Sequence, residues 1–260
     1  MRRIILVIVM LSLGLICSCS RRGEGMIVAG STSVQPFAEV LAEEYALLHP
    51  ESIIDIQGGG SSAGITAAES GTADIGMSSR SLTAEEQGLW SCEIAKDGLA
   101  VIVHPGNPVR GLTLGEVRDI YAGKITDWSG VGGGKAKIHL ITREEGSGTR
   151  SAFESLVMGK GEISPRAIVQ DSNGTVRQLV SSDKNSIGFI SLGLVDKTVK
   201  ALVLDGAGPS RDNVINGSYR LYRPFLLVAK SEPRGQAKEF IDFTLSDEGR
   251  KILANEGLIP

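Results

Sequence analysis

Residues 142–150 read Thr-Arg-Glu-Glu-Gly-Ser-Gly-Thr-Arg, and the amphipathic segment 151–158 follows directly. The stretch predicts a helix that begins in a turn of glycine and hydroxyl residues, with Arg143 immediately before that turn. Helix N-termini present unpaired N–H groups and a partial positive charge, glycine lets the backbone approach a ligand, and a guanidinium can bind two oxyanion oxygens at once. Taken alone, the stretch indicates either an anion site or an ordinary capped helix, because Ser and Thr caps are common.

Three further turns of similar composition favour the anion site. Each combines glycine with hydroxyl side chains and precedes a pattern of helical spacing, at residues 29–33, 58–64 and 171–174. Pro36 suits the first turn of the helix after the first of them, and Gly71 suits the end of the helix after the second. Four such turns in one chain predict helix N-termini that converge on one small oxyanion.

The first 25 residues predict a targeting and anchoring segment rather than a part of the fold. A basic start and the apolar run 4–16 fit a secretory signal, since the run is shorter than the ~20 residues of a transmembrane helix. Cys19, preceded by Ser18 and, three residues before it, by Ile16, resembles the cysteine of a bacterial lipobox. We expect a signal peptide over residues 1–18, a lipid on Cys19 and a polar tether over residues 19–25. Two ordinary cysteines at the end of a signal are the alternative.

The net charge, the cysteine and the histidines of the chain restrict the kinds of function that it can have. Cleavage before Cys19 would remove two arginines and no acidic residue, so the mature charge would be 25 − 30 = −5, which argues against nucleic acid as a partner. It does not argue against an anionic ligand, because local donors set the potential inside a cleft. Cys92 has no disulfide partner in the body of the chain and is predicted to be a buried small hydrophobe. His49, His104 and His139 lack metal-ligand spacing, so no metal is expected.

Short apolar runs alternate with helical patterns, which is typical of an α/β fold. The predicted strands are residues 27–29, 53–57, 73–77, 99–104, 137–142, 186–190 and 225–229. Two turn-forming segments, 105–108 and 222–224, suggest two crossings between lobes. We therefore predict one lobe from residues 26–103 and 224–260, a second from residues 104–223, and a final helix over residues 235–254.

Two other interpretations of the glycine-rich turns are weaker. Residues 58–63 match a relaxed dinucleotide pattern, but no acidic residue ends a clear following strand. Ser61 and Ser147 lie in glycine-rich turns, and either could serve as a nucleophile in a serine hydrolase. Neither is in a G-x-S-x-G motif and the sequence places no histidine as their base, although catalytic triads are assembled in space.

The order and spacing of these motifs resemble those of PstS-type phosphate-binding proteins, the extracytoplasmic receptors of ABC phosphate importers. The resemblance covers nearly all of the chain after the signal. It is carried by residues 30–33, 57–62, 73–80, 112–133, 143–149, 187–190 and 246–260. It implies a type II periplasmic-binding-protein fold, with two α/β lobes, a two-stranded hinge and one buried phosphate between the lobes.

The resemblance also implies a set of ligand residues. By position these are Ser31, Thr32, Ser33, Ser61, Ser79, Arg143, Ser147, Gly148 and Thr149. Glu145 would orient Arg143, and Arg80 would add positive charge to the cleft or form an ion pair at its rim. Ser79 departs from the family, in which many members have an aspartate that accepts the proton of phosphate. A serine can accept or donate, so it discriminates less by itself.

The function implied is that of a monomeric, lipid-anchored phosphate receptor that delivers its ligand to a membrane permease. It would need no cofactor and perform no catalysis. A binding protein for another oxyanion, such as molybdate or sulfate, is the nearest alternative, and a serine hydrolase is more distant.

Overall fold

A computed structural model describes residues 25–260 of the chain. The predicted signal peptide, the lipobox and all but the last residue of the tether lie outside the described residues. Within the described part, none of the helices combines the length and the hydropathy that a bilayer crossing requires.

The described residues alternate strands and helices throughout. The strands are β1 Met26–Gly30, β2 Ile54–Gly58, β3 Ile75–Ser78, β4 Trp90–Val103, β5 Gly111–Leu112, β6 His139–Arg143, β7 Ile168–Gln170, β8 Ser186–Ser191, β9 Lys200–Ala201, β10 Val203–Leu204 and β11 Tyr222–Ala229. The α-helices are α1 Gln35–Leu48, α2 Ser61–Ser70, α3 Leu114–Tyr121, α4 Gly148–Phe153, α5 Asn173–Ser182, α6 Arg211–Ile215, α7 Gly235–Leu245 and α8 Asp247–Asn255. The predicted α/β class is confirmed.

The main sheet contains two groups of parallel strands joined through an antiparallel pair. Its order is β2-β1-β3-β11-β4-β8-β6-β7, and β9 pairs with β4. Strand β1 is parallel to β2 and β3, and β6 is parallel to β7 and β8. Strands β4 and β11 lie antiparallel between these groups, with Tyr222 opposite Gly98. The carboxyl ends of parallel strands, where α/β proteins bind ligands, therefore occur in both groups.

Two large apolar cores correspond to these groups. One packs around Phe37, Tyr45, Phe225 and Phe240, and the other around Tyr121, Trp128, Phe153 and Phe189. Burying side chains of this size stabilises the fold by about 1.5–3 kcal/mol each. Trp128 is buried and donates its indole N–H to the Asn185 carbonyl at 2.9 Å.

Strand β4 contributes to both cores, because it runs from one group of strands into the other. Ile94 and Ala95 pack in the first core, whereas Leu99, Val101 and Val103 pack in the second. The alternate residues of its second half are buried as well, which accounts for its unbroken apolar run. Only residues 99–104 of this strand were predicted, since the first half is polar on its exposed face.

The predicted helix over residues 235–254 is instead two helices, α7 and α8. Ser246 separates them with an extended backbone, φ −67° and ψ 167°. Its hydroxyl accepts a hydrogen bond from the Gly249 N–H at 3.2 Å and so caps α8. The apolar periodicity continues through this break, which is why the sequence pattern suggests one helix.

Candidate anion-binding site

Three serines from the first group of strands meet at the carboxyl ends of β1 and β3. Ser31 follows β1, Ser79 follows β3, and Ser61 begins α2; all three are buried. The Ser31 hydroxyl donates to Ser79 Oγ at 2.9 Å, and the Ser79 N–H donates to Ser61 Oγ at 3.0 Å. The local strand-turn-helix pattern positions each side chain, as the sequence predicts.

The second group of strands supplies the remaining predicted residues. Arg143 ends β6, and Ser147 caps α4 by accepting a hydrogen bond from the Arg150 N–H at 3.3 Å. Gly148 and Thr149 form the first positions of that helix and are buried. The helix continues as a π-helical turn over Glu154–Met158, so the predicted helical segment is present but begins earlier.

Hydrogen bonds join the two sets of residues to each other. Ser33 Oγ and Thr149 Oγ1 are 2.8 Å apart, and Arg143 Nη2 donates to Thr32 Oγ1 at 3.2 Å. Gly148 also lies close to the first set, since an added Cβ there would be 2.3 Å from Ser61 Oγ. The structure thus brings the predicted ligand residues together in one buried cluster of hydroxyl, N–H and guanidinium groups.

Arg143 is 1% exposed and only partly satisfied. Its Nε and Nη2 donate to the Glu144 carboxylate at 3.0 and 2.9 Å, and Nη2 also donates to the Asp171 carbonyl. Nη1 is buried and has no hydrogen-bond partner among residues 25–260. A buried donor without an acceptor costs free energy, so Nη1 marks a place that an oxyanion oxygen would fill.

The acidic partner of Arg143 is Glu144, and the prediction of Glu145 in that role was wrong. The Glu145 side chain is exposed. The Glu144 backbone N–H bonds to the Gln170 carbonyl at the edge of the sheet, and its carboxylate turns back onto the preceding guanidinium. Arginine and carboxylate therefore pair between neighbours in sequence.

Arg80 adopts the second of its two predicted roles. Its Nη1 and Nη2 donate to the two oxygens of Glu86 at 2.7 and 2.8 Å, in a fork-to-fork ion pair. Nη2 also lies 3.4 Å from Ser62 Oγ. Because Glu86 neutralises the guanidinium, Arg80 adds little net charge to the cluster.

Four buried residues that the sequence interpretation left out complete the cluster. Asn173 donates through Nδ2 to Ser33 Oγ at 2.9 Å and accepts from the Ser191 N–H at 3.2 Å. Arg223 donates through Nη2 to Ser33 Oγ at 3.1 Å and to Asp97 at 3.1 Å. Asn173 lies in the fourth glycine-and-hydroxyl turn, which was the only sequence signal for it.

The ion pair of Asp97 and Arg223 connects β4 to β11 beneath this cluster. Both side chains are almost fully buried, and Ser191 Oγ donates to Asp97 at 2.8 Å. Burial raises the pKa of Asp97 and lowers the pKa of Arg223, because each charged form loses hydration. Their mutual attraction opposes both shifts, so removing one partner alone would leave a buried, uncompensated charge.

The described residues offer little support for metal or nucleophilic chemistry. Residues 25–260 contain no group of three or more metal-ligating side chains. Burial raises the pKa of the Cys92 thiol to about 11, so it stays protonated near neutral pH. In this part of the chain, neither Ser61 nor Ser147 has a histidine as a hydrogen-bond partner.

Comparison with known proteins identifies a family profile and relatives that match the chain. The profile of the PBP superfamily domain matches residues 21–248. The phosphate-binding protein PstS of Bacillus subtilis (strain 168) is 32% identical over 256 residues, which cover 94% of this chain and 84% of that protein.

Solved structures give the same result. A phosphate ABC transporter substrate-binding protein from Clostridium perfringens, with bound phosphate, is 45% identical with a TM-score of 0.88, covering 91% of this chain and 99% of that one. An ABC-type phosphate transport receptor from Vibrio cholerae is 43% identical with a TM-score of 0.75, covering 90% and 99%. The fold, the relatives and the solved structures agree: the chain belongs to the PBP superfamily and, within it, to the PstS family of phosphate-binding proteins.

Proposed function

We propose that the chain captures inorganic phosphate in the cluster around Arg143 and delivers it to an ABC importer. The observation that carries the proposal is the buried, unpartnered Nη1 of Arg143 among hydroxyl and N–H donors. Phosphate offers several charged oxygens that accept such hydrogen bonds, and charge-assisted hydrogen bonds are the strong ones. Membership of the PstS family supports the same ligand.

The predicted lobes, residues 26–103 plus 224–260 and residues 104–223, remain part of this proposal. The two apolar cores and the antiparallel pair β4–β11 support a two-stranded hinge. Because Leu99–Val103 pair with β8, we assign the first crossing near Gly98 rather than at residues 105–108. Ligand would stabilise the closed arrangement through contacts with both lobes at once.

Isothermal titration with phosphate, sulfate and molybdate tests the proposed ligand. We expect saturable binding of phosphate with one site per chain and weaker binding of the other two anions. Tighter binding of molybdate or sulfate than of phosphate would indicate that the other oxyanion is the ligand. Release of product from a phosphate ester would favour the hydrolase instead.

Ser79 leads to a prediction about selectivity. If this serine faces the ligand where relatives have an aspartate, sulfate should compete measurably with phosphate in the native protein. Ser79→Asp should then weaken sulfate binding by at least about tenfold, because a carboxylate that faces fully ionised sulfate is an unpaired buried charge. Phosphate retains a proton that the new carboxylate can accept.

Competition titration on both proteins measures this effect, with exposed Ser81→Asp as the control for an added charge nearby. If the native protein binds no sulfate, a group other than Ser79 discriminates between phosphate and sulfate, and the role given to Ser79 is wrong.

The proposed location is outside the cytoplasm, with the chain held at the membrane by a lipid on Cys19 and acting as a monomer beside its permease. The lipobox resemblance of residues 16–19 supports the anchor. Two or more acyl chains hold a soluble domain at a surface, whereas a single chain is marginal.

We expect the native protein in the membrane fraction, with acyl groups on Cys19. The Cys19→Ser variant should be released or left unprocessed, while Cys17→Ser should remain lipidated and membrane-bound. Fractionation and mass spectrometry of the mature N-terminus provide the measurement. A mature terminus at another residue, without lipid, contradicts the anchor.

A further inference from the structure

We propose that Arg223, together with Asn173, fixes the direction of the Ser33–Thr149 hydrogen bond, so that Thr149 presents its hydroxyl proton to the bound anion. Arg223 acts as a positioning residue through the Nη2 that bonds to Ser33, while its own Nη1 is buried without a hydrogen-bond partner among residues 25–260. The inference rests on the proposed function, and it explains why the Thr149 hydroxyl would act as a hydrogen-bond donor to the anion.

The hydrogen bonds around Ser33 Oγ leave little freedom. Arg223 Nη2 lies 3.1 Å from this oxygen and Asn173 Nδ2 lies 2.9 Å from it. A guanidinium can only donate. The Asn173 amide is oriented by its other end, because Oδ1 accepts from the Ser191 N–H at 3.2 Å. Both neighbours therefore donate to Ser33 Oγ.

A serine hydroxyl has two acceptor lone pairs and one proton. With both lone pairs of Ser33 occupied, its proton has one remaining partner, Thr149 Oγ1 at 2.8 Å. The bond runs from Ser33 to Thr149, although distance alone does not assign the donor. The chain of donation is thus Arg223 to Ser33 to Thr149.

Thr149 then accepts from Ser33, and its own proton is free. Thr149 is buried at the start of α4, beside the Gly148 contact with Ser61. A donor already oriented before the ligand arrives costs no reorganisation when the ligand binds, and unprotonated oxyanion oxygens can only accept. This side of the site is a fixed donor.

Arg223 is held in place by groups from both predicted lobes. Its Nε and Nη2 lie 3.3 and 3.1 Å from the Asp97 carboxylate, which also accepts from Ser191 Oγ. The Arg223 guanidinium carbon lies 5.4 Å from the centre of the Phe225 ring. These contacts orient the guanidinium, and the pair belongs to the strands β4 and β11 on which the hinge is proposed.

A double-mutant cycle tests the inference with inorganic phosphate as the ligand. In the native background, Thr149→Val should lower phosphate affinity by about tenfold, because one hydrogen bond to a charged ligand is lost. Thr149→Ser keeps the hydroxyl and should bind within about threefold of native.

The second background is Asp97→Asn/Arg223→Met, which removes both charges of the pair together and leaves no buried charge unpaired. Ser33 then has a free lone pair, and Thr149 can donate to it instead of to the anion. Thr149→Val should cost at most about threefold here. An equal loss in both backgrounds overturns the inference, because Arg223 would then act on stability or packing alone.

The matched control is Arg177→Met/Asp196→Asn, which removes another arginine–aspartate pair, 3.3 Å apart and half-exposed. Thr149→Val should keep its full effect in that background. If the Asp97/Arg223 variant does not fold, Asn173→Ala frees the other lone pair of Ser33 and must also reduce the Thr149→Val effect. Native protein that binds no phosphate refutes the proposed function, whereas intact phosphate binding with no coupling refutes only this inference.

Discussion

Replacing Arg143 with alanine is expected to lower phosphate affinity by about a hundredfold to ten-thousandfold, which corresponds to the loss of two charge-assisted hydrogen bonds. The fold should survive this change. Glu144, the ion-pair partner, has a side chain that is 32% exposed, so water can hydrate its carboxylate once the arginine is gone. Titration of protein shown to be folded by circular dichroism measures the effect.

Arg143→Lys should also bind phosphate poorly, because an ammonium cannot contact Glu144 and two phosphate oxygens with one planar fork. Arg118→Ala is the matched control, since Arg118 is half-exposed and lies beside Asp119 on α3. It should bind phosphate as the native protein does. Native affinity in Arg143→Ala would remove this arginine from the centre of the site and refute the proposed binding mode.

The sequence was sufficient for those parts of the site that are built locally. Ser31, Ser61 and Ser147 each lie where a strand turns into a helix, and short-range glycine, proline and hydroxyl signals specify such turns. Because the turns follow parallel strands, their convergence could be predicted before any contact was known. The same signals gave the α/β class and most strands.

The sequence was insufficient where neighbours are distant along the chain. Arg223 lies 190 positions from Ser33 and 126 from Asp97, and nothing in its own segment indicates either partner. Residues 222–224 suggested only a break between elements, yet they belong to β11, which pairs with β4 inside the main sheet. Pairings of this kind arise from tertiary packing, which local patterns do not encode.

Two other predictions were wrong because small differences in local backbone conformation decide the outcome. Glu144 and Glu145 are adjacent, and only the orientation of the chain at the end of β6 decides which carboxylate faces Arg143. At residue 246 a single extended backbone conformation separates two helices within one apolar pattern. Element boundaries are the least reliable part of any such prediction.

Gly148, from the second group of strands, lies in close contact with Ser61 and Ser79 of the first group. An alanine Cβ at this position would lie 2.3 Å from Ser61 Oγ and 2.6 Å from Ser79 Oγ. The backbone of Ser79 is also only 3.0 Å away, so a hydroxyl rotation cannot relieve the overlap. Gly148→Ala should therefore prevent the close contact between these turns.

The substitution should weaken phosphate binding rather than destabilise the fold. Gly148 does not have a positive φ, and alanine is a better helix former than glycine, so α4 itself tolerates the change. We expect phosphate affinity to fall by about a hundredfold, as for severe overpacking at a contact. The unfolding temperature without phosphate should stay within about 3 °C of native.

Gly146→Ala is the matched control in the same turn, because its Cβ would meet no heavy atom closer than the Ser62 Cβ, at 3.8 Å. This variant should bind phosphate nearly as the native protein does. Small-angle scattering should show that saturating phosphate compacts the native protein and Gly146→Ala but not Gly148→Ala. If Gly148→Ala binds with native affinity, or if phosphate leaves the native scattering unchanged, closure of these turns around the ligand is not the binding mechanism.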